Sequence, residues 1–199
     1  MKIGYCVEGS TDRGFVQGLA DRWCPQAELI EGRFRGSTGL RLRAEIPQIC
    51  IELNEKGCDV FLFITDANDA VWMKVVKHQS ELVPAQFEHC TVSGVADRNI
   101  ESWLCADKEW IAQETGRSAN EFDIEDPKGV FQSALGITGR DKKETEIASL
   151  VRRAPLRNWI QNSASFERFY RNARRLANSL NCSMPDEWRR QGASRNRSR

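Results

Sequence analysis

Along the first hundred residues the apolar positions change period at regular intervals, marking out alternating strands and helices. Residues 2–7 alternate, with Ile3, Tyr5 and Val7 apolar, and read as a strand that breaks at Glu8-Gly9-Ser10. Phe15, Val16, Leu19 and Trp23 then recur at helical spacing, in a helix that Ser10 or Thr11 would cap and Pro25 would stop. Residues 27–31 form a short second strand. Residues 41–56 read as a helix, with Pro47 near a turn or kink and Gly57 at its end. The unbroken apolar run Val60-Phe61-Leu62-Phe63-Ile64, inside a strand over 59–65, predicts a strand covered on both faces. A helix over 71–82 and an alternating strand over 90–95 follow. This β-α-β-α-β-α-β order predicts an α/β fold: a mainly parallel four-stranded sheet flanked by helices.

From Asp97 onward the pattern is helical. Helices are predicted at 100–104, 130–135, 144–153, 156–161 and 165–180. Asp107 would cap a further helix through Trp110 and Ile111, Asp97 also reads as a cap, and 116–126 is a polar connection. In the last helix Phe166, Phe169, Tyr170, Ala173, Leu176, Ala177 and Leu180 share one face, and Arg168, Arg171 and Arg175 share the other. The organisation predicted is an α/β core over 1–105, a helical C-terminal part over 106–185 packed on that core, and a basic tail over 186–199, predicted to be disordered.

The 199 residues are 40% hydrophobic, enough for one ordinary domain with a sizeable core but cramped for two. Charged residues at 29% and six tryptophans argue against a disordered or low-complexity chain. No apolar run approaches the ~20 residues of a membrane span, and an acid at position 8 comes too early for a signal peptide. The expectation is therefore a soluble cytoplasmic protein with no membrane partner. Seven scattered cysteines without a CxxC pair suggest thiols in a reducing compartment, with Cys6, Cys50 and Cys105 as small core residues, rather than zinc ligands or a disulfide framework. His78 and His89 are the only histidines, which leaves little material for a histidine triad or a zinc site. Charge is uneven: residues 1–149 carry a net −8, whereas 150–199 carry +9, all of the positive charge from arginine.

Ligands of open α/β sheets gather at the carboxyl ends of the strands. Glu8 ends the first strand, Asp66 and Asp69, with Asn68 between, end the third, and Glu101 follows the fourth on a helix N-terminus, where it would equally serve as a favourable charge. Oxygen donors of this kind suit magnesium or manganese beside a phosphate substrate. With no catalytic histidine evident, metal-activated water is the natural nucleophile. Arg13, Arg33, Arg35, Lys142 and Lys143 are candidates for stabilising the developing charge, Arg33 and Arg35 because they lie in a glycine-rich loop. Arg168, Arg171 and Arg175 would contact nucleic-acid phosphates or else form the wet face of an amphipathic helix.

Val7-Glu8-Gly9-Ser10-Thr11-Asp12 before a helix, followed by Phe63-Ile64-Thr65-Asp66-Ala67-Asn68-Asp69, resembles a Toprim domain. This is the glutamate-plus-Asp-x-Asp metal domain of topoisomerases, primases, small RNA maturases and overcoming-lysogenization-defect nucleases. Asn99 to Asp107 and Ser163 to Phe169 are similar to stretches of small bacterial Toprim-like proteins. The resemblance implies a magnesium-dependent phosphodiester site with Glu8 as general acid/base or ligand, Asp66 as ligand and Glu101 as a further acid. The chain departs from the pattern at Asn68, where the second aspartate would stand, and carries an acid at Asp69 instead. An asparagine oxygen coordinates magnesium without charge, which weakens the case for two metals. The implied function is a nuclease acting on RNA or DNA, in the defence or mobile-element setting that the family's company suggests. The alternatives are a non-catalytic subunit binding metal or nucleotide phosphates beside a protein partner, and a hydrolase of small phosphates. An ATPase partner would have to be another chain, since no Gly-x-x-x-x-Gly-Lys-Ser/Thr loop is present.

Overall fold

A computed structural model describes residues 1–34, 38–136, 140–180, 182 and 184. Strands β1 (Lys2–Cys6), β2 (Glu28–Glu31), β3 (Val60–Asp66) and β4 (Thr91–Ala96) alternate with helices α1 (Ser10–Trp23), α2 (Gly39–Glu55) and α3 (Trp72–Glu81). All strand pairs are parallel and the order is β2-β1-β3-β4. From β1 the chain steps to one side to form β2, then crosses to the other side to form β3. The order therefore reverses between β1 and β3, and a crevice opens beyond their carboxyl ends. Glu8 and Asp66 stand at this crevice.

The period-2 pattern sorts the strands' side chains. Cys6, Phe61 and Phe63 pack under Leu42, Ile46, Ile49, Cys50 and Leu53 of α2. Ile64, Val92 and Ala96 face the opposite layer. Residues 60–64 thus meet apolar cover on both faces, as their unbroken run predicts. Pro47 lies within α2, which continues through it. The burial of Ile46, Ile49, Cys50 and Leu53 around the proline outweighs the one backbone bond it removes.

Helices α4 (Ile100–Leu104), α5 (Lys108–Thr115), α6 (Lys128–Leu135), α7 (Arg140–Arg153), α8 (Leu156–Asn162) and α9 (Ala164–Ser179) complete the chain. One apolar cluster runs from Val7 through α1 and α4 to α8, α9 and Met184, so the C-terminal helices share the core of the sheet. α7 lies directly on α1, where a Cβ on Gly14 would stand 2.5 Å from the Glu144 carbonyl oxygen and one on Gly18 2.6 Å from Val151 Cβ. Only glycine permits this approach. Among the described residues no helix is long and apolar enough to cross a membrane.

Three local expectations change. α1 is capped at Gly9 rather than Ser10 or Thr11, and Asp12 reaches back to accept the Gly9 N–H at 2.7 Å. Asn99 rather than Asp97 caps α4, accepting from the Ser102 N–H at 3.2 Å, because its extended backbone is the one that immediately precedes the helix. Asp107 caps α5 as predicted. Cys24 and Cys182, separated by 158 residues in sequence, form a disulfide between the end of α1 and the segment after α9. Chain spacing does not anticipate this pair; the fold brings the two ends together. Cys6, Cys50 and Cys105 are buried free thiols.

Candidate acidic active site

Four carboxylates stand at the crevice. Glu8 follows β1 and accepts the backbone N–H of Asp66 through Oε1 at 2.8 Å, tying the carboxyl ends of β1 and β3 together. Its approach depends on Gly39 in the first turn of α2, where a Cβ would lie 2.4 Å from Oε1. Asp66 ends β3, and its Oδ1 accepts the Ile100 N–H of α4 at 3.0 Å. Glu101, the next residue of α4, is 2% exposed, and its Oε1 accepts from Gln132 Nε2 of α6 at 3.2 Å. Asp12, 6% exposed, comes from the first turn of α1. Each side chain is thus held by an element that starts or ends at the same edge of the sheet.

The electrostatics bind the four into one unit. Burial pushes Asp12 up to about 7, with Glu8 and Glu101 adding to the rise and the Gly9 N–H opposing it. Asp66 is pushed up to about 8 by burial, then by Asp12, Glu8 and Glu101. The cation that opposes both shifts is Lys128, an exposed residue at the start of α6. Like charges gathered in low dielectric cannot all ionise unless a cation joins them.

A hard divalent ion fits this donor chemistry: the side chains are all carboxylates, they are desolvated, and their neighbours undercompensate them. Glu8, Asp12, Asp66 and Glu101 are the residues that would hold it. Their oxygens are held on separate N–H donors, and among the described residues no group of three or more acidic, histidine or cysteine side chains forms a ready cage for an ion.

The remaining predicted residues lie elsewhere. Asn68 adopts a left-handed backbone, φ 51°, and donates its N–H to the Arg98 carbonyl at 2.7 Å. Arg98 is itself left-handed at φ 65°. This turn carries Asn68 and Asp69 into an adjoining groove of about 970 Å³. There Asp69, fully exposed, faces Arg98 at 3.8 Å. The fold thus leaves the Asp66-Ala67-Asn68-Asp69 motif split between crevice and groove. The groove is also lined by Asp97, Asp107, Glu109 and Glu125 against Arg98 and Lys108, a balance unfavourable to a polyanion.

Among the basic candidates, Arg13 is paired with Glu31 and Glu144, and the exposed Arg33 donates its backbone N–H to Glu52. Arg35 falls outside the described residues, as does the basic tail from 186 onward. Lys142 is exposed and Lys143 half-buried on α7, while Arg168, Arg171 and Arg175 are exposed on α9. Arg171 also pairs with Glu167.

Asp12 and Lys128 are site residues that the sequence reading missed. For Asp12 a signal existed: positions 12, 15, 16 and 19 share one helical face, so an acid there falls in line with Phe15, Val16 and Leu19. For Lys128 there was none, since its place depends on how α6 folds back. No protein-family model and no curated protein matches the chain.

Proposed function

We propose that the chain is a magnesium- or manganese-dependent phosphodiesterase of Toprim type that cleaves RNA or DNA. The observation that carries this reading is the convergence of Glu8, Asp12, Asp66 and Glu101 on the switch-point crevice, with Asp12 and Asp66 pushed far above ordinary carboxylates. A dication held there supplies Lewis acidity to a phosphoryl oxygen and lowers the pKa of an attacking water. The protein's own residues do the rest. Glu8 is fixed by the Asp66 N–H through one oxygen, and the other is left to take a proton from water. Lys128 stands at the exposed rim, where it can meet a phosphate. The exposed Arg168, Arg171 and Arg175 offer backbone contacts to a polymer.

The test is cleavage of tRNA, structured RNA, and single- and double-stranded DNA with either metal. Wild type is expected to cut at least one of these. Glu8→Gln, Asp12→Asn and Asp66→Asn, each verified as folded at the assay temperature, are each expected to lose about 100-fold or more in turnover. Full activity in Glu8→Gln and Asp66→Asn would overturn the reading.

Asn68, an uncharged amide where the second aspartate of the pattern would stand, favours a second reading: a non-catalytic module that binds metal or nucleotide phosphates beside a partner protein. Saturable magnesium binding, lost in Asp66→Asn, with no cleavage of any substrate would support it over the first.

A further inference from the structure

Arg43, on the second turn of α2, is a half-buried guanidinium that makes no ion pair with a described residue. Its polar contact is a long one, from Nη1 to Thr65 Oγ1 at 3.4 Å. Two other partly buried arginines at the sheet's carboxyl end differ in having acid partners. Arg13 sits on Glu31 at 2.7 Å, and Arg98 reaches both Asp69 and Glu125. A guanidinium carries five N–H donors in a rigid fork, and partly removing it from water with the fork unused is unfavourable. Desolvation accordingly pulls Arg43 down, and the Glu8 charge opposes that from a distance.

The position is as telling as the lack of an ion-pair partner among the described residues. A Cβ placed on Gly39 would lie 2.4 Å from Glu8 Oε1 and 3.2 Å from Arg43 Nη1. Carboxylate and guanidinium therefore border one gap without closing it. Thr65, which Arg43 touches, immediately precedes Asp66 on β3. Thr65 and Asp66 face opposite sides of β3, so the fork borders the β1–β3 crevice on its Glu8 side, with most of its five donors unpaired among the described residues.

We infer that Arg43 is a catalytic residue that grips a non-bridging oxygen of the scissile phosphate, opposite the carboxylates. This rests on the phosphodiesterase reading above. In that reaction a water oxygen forms a new bond to phosphorus as the bond to the leaving sugar oxygen breaks. One water proton passes to the acidic cluster, and the leaving oxygen is protonated in turn. Arg43 exchanges no proton; it meets the charge carried by the equatorial oxygens, which a planar fork can do with two hydrogen bonds.

The test pairs cleavage in magnesium with binding of a fluorescent oligonucleotide in calcium, for wild type, Arg43→Ala, Arg43→Lys and Glu8→Gln. Arg43→Ala is expected to lose about 100-fold in kcat with little change in KM, at an unchanged unfolding midpoint, and Arg43→Lys to recover part of that loss. If wild type cuts and Arg43→Ala cuts equally well while Glu8→Gln does not, the role of Arg43 falls and the phosphodiesterase reading stands. If wild type cuts nothing, that reading falls. The catalytic role of Arg43 falls with it, and equal oligonucleotide binding by wild type and Arg43→Ala would remove Arg43 as a phosphate contact as well.

Discussion

Helix α1 buries two unlike side chains one turn apart. Phe15 is wholly buried among Trp103, Trp159, Phe166 and Phe169, with ring centroids 5.5 to 6.5 Å away. Asp12, on the same face, is buried nearly as fully, with Glu8, Glu101 and Asp66 for neighbours. The ring gains from every contact. The acid is desolvated beside like charges and holds a proton near neutral pH to limit the cost. One helix face thus serves a region that stabilises the fold and a region that draws on that stability, a pattern found where a site is kept for chemistry.

The sharpest way to break this contrast is at Trp103. It is completely buried, stacks on Phe169 with centroids 5.3 Å apart, and donates Nε1–H to the buried Ser165 Oγ at 2.7 Å. Trp103→Ala removes the centre of the aromatic block and one partner of that hydroxyl, which keeps the Asp97 N–H at 3.3 Å and Ser163 Oγ at 3.2 Å, so it is expected to cost about 3–5 kcal/mol in denaturant unfolding. A loss below about 1 kcal/mol would mean that the stability lies elsewhere.

The acidic region should respond in the opposite direction. Asp12 and Asp66 titrate near 7 and 8 when folded, against about 4 for an ordinary carboxylate. The folded chain therefore binds more protons than the unfolded chain between those limits. Stability from these two groups is fully present below about pH 4 and is lost as pH rises through 7 and 8. At pH 8 Asp66→Asn is expected to raise the unfolding midpoint and flatten its pH dependence relative to wild type, while activity disappears. Magnesium is expected to raise the wild-type midpoint at pH 8 more than that of the variant. Parallel pH profiles for wild type and variant would show that the cluster costs the fold nothing.

How much of this was legible in the chain depends on the range of the interaction. The four strands, and nearly every helix to within a few residues, follow from local periodicity. The parallel sheet follows from their alternation. Glu8, Asp66 and Glu101 were accessible because a strand end in an α/β order has a known place. Asp12 was legible in principle, as an acid on an apolar helical face. Lys128, Arg43 and the Cys24–Cys182 pair were not, because each depends on the tertiary packing of elements far apart in sequence. Asp69 lies away from the crevice for a local reason: one left-handed residue, Asn68, redirects the chain, and spacing alone does not reveal it.

Asp69 also supplies the smallest expected effect and the most economical discrimination. Its carboxylate is fully exposed and 3.8 Å from Arg98, an arrangement that contributes little to stability in water. It is also absent from the leading influences on Asp12 and Asp66. Asp69→Ala is expected to leave the unfolding midpoint unchanged and turnover within about twofold of wild type. Asp66→Asn, three residues earlier, should abolish turnover. The reverse outcome, with Asp69→Ala inactive and Asp66→Asn active, would move the chemistry into the acidic groove. The crevice carboxylates would then be a buried structural cluster, and the link between the raised pKa values of Asp12 and Asp66 and catalysis would have to be abandoned.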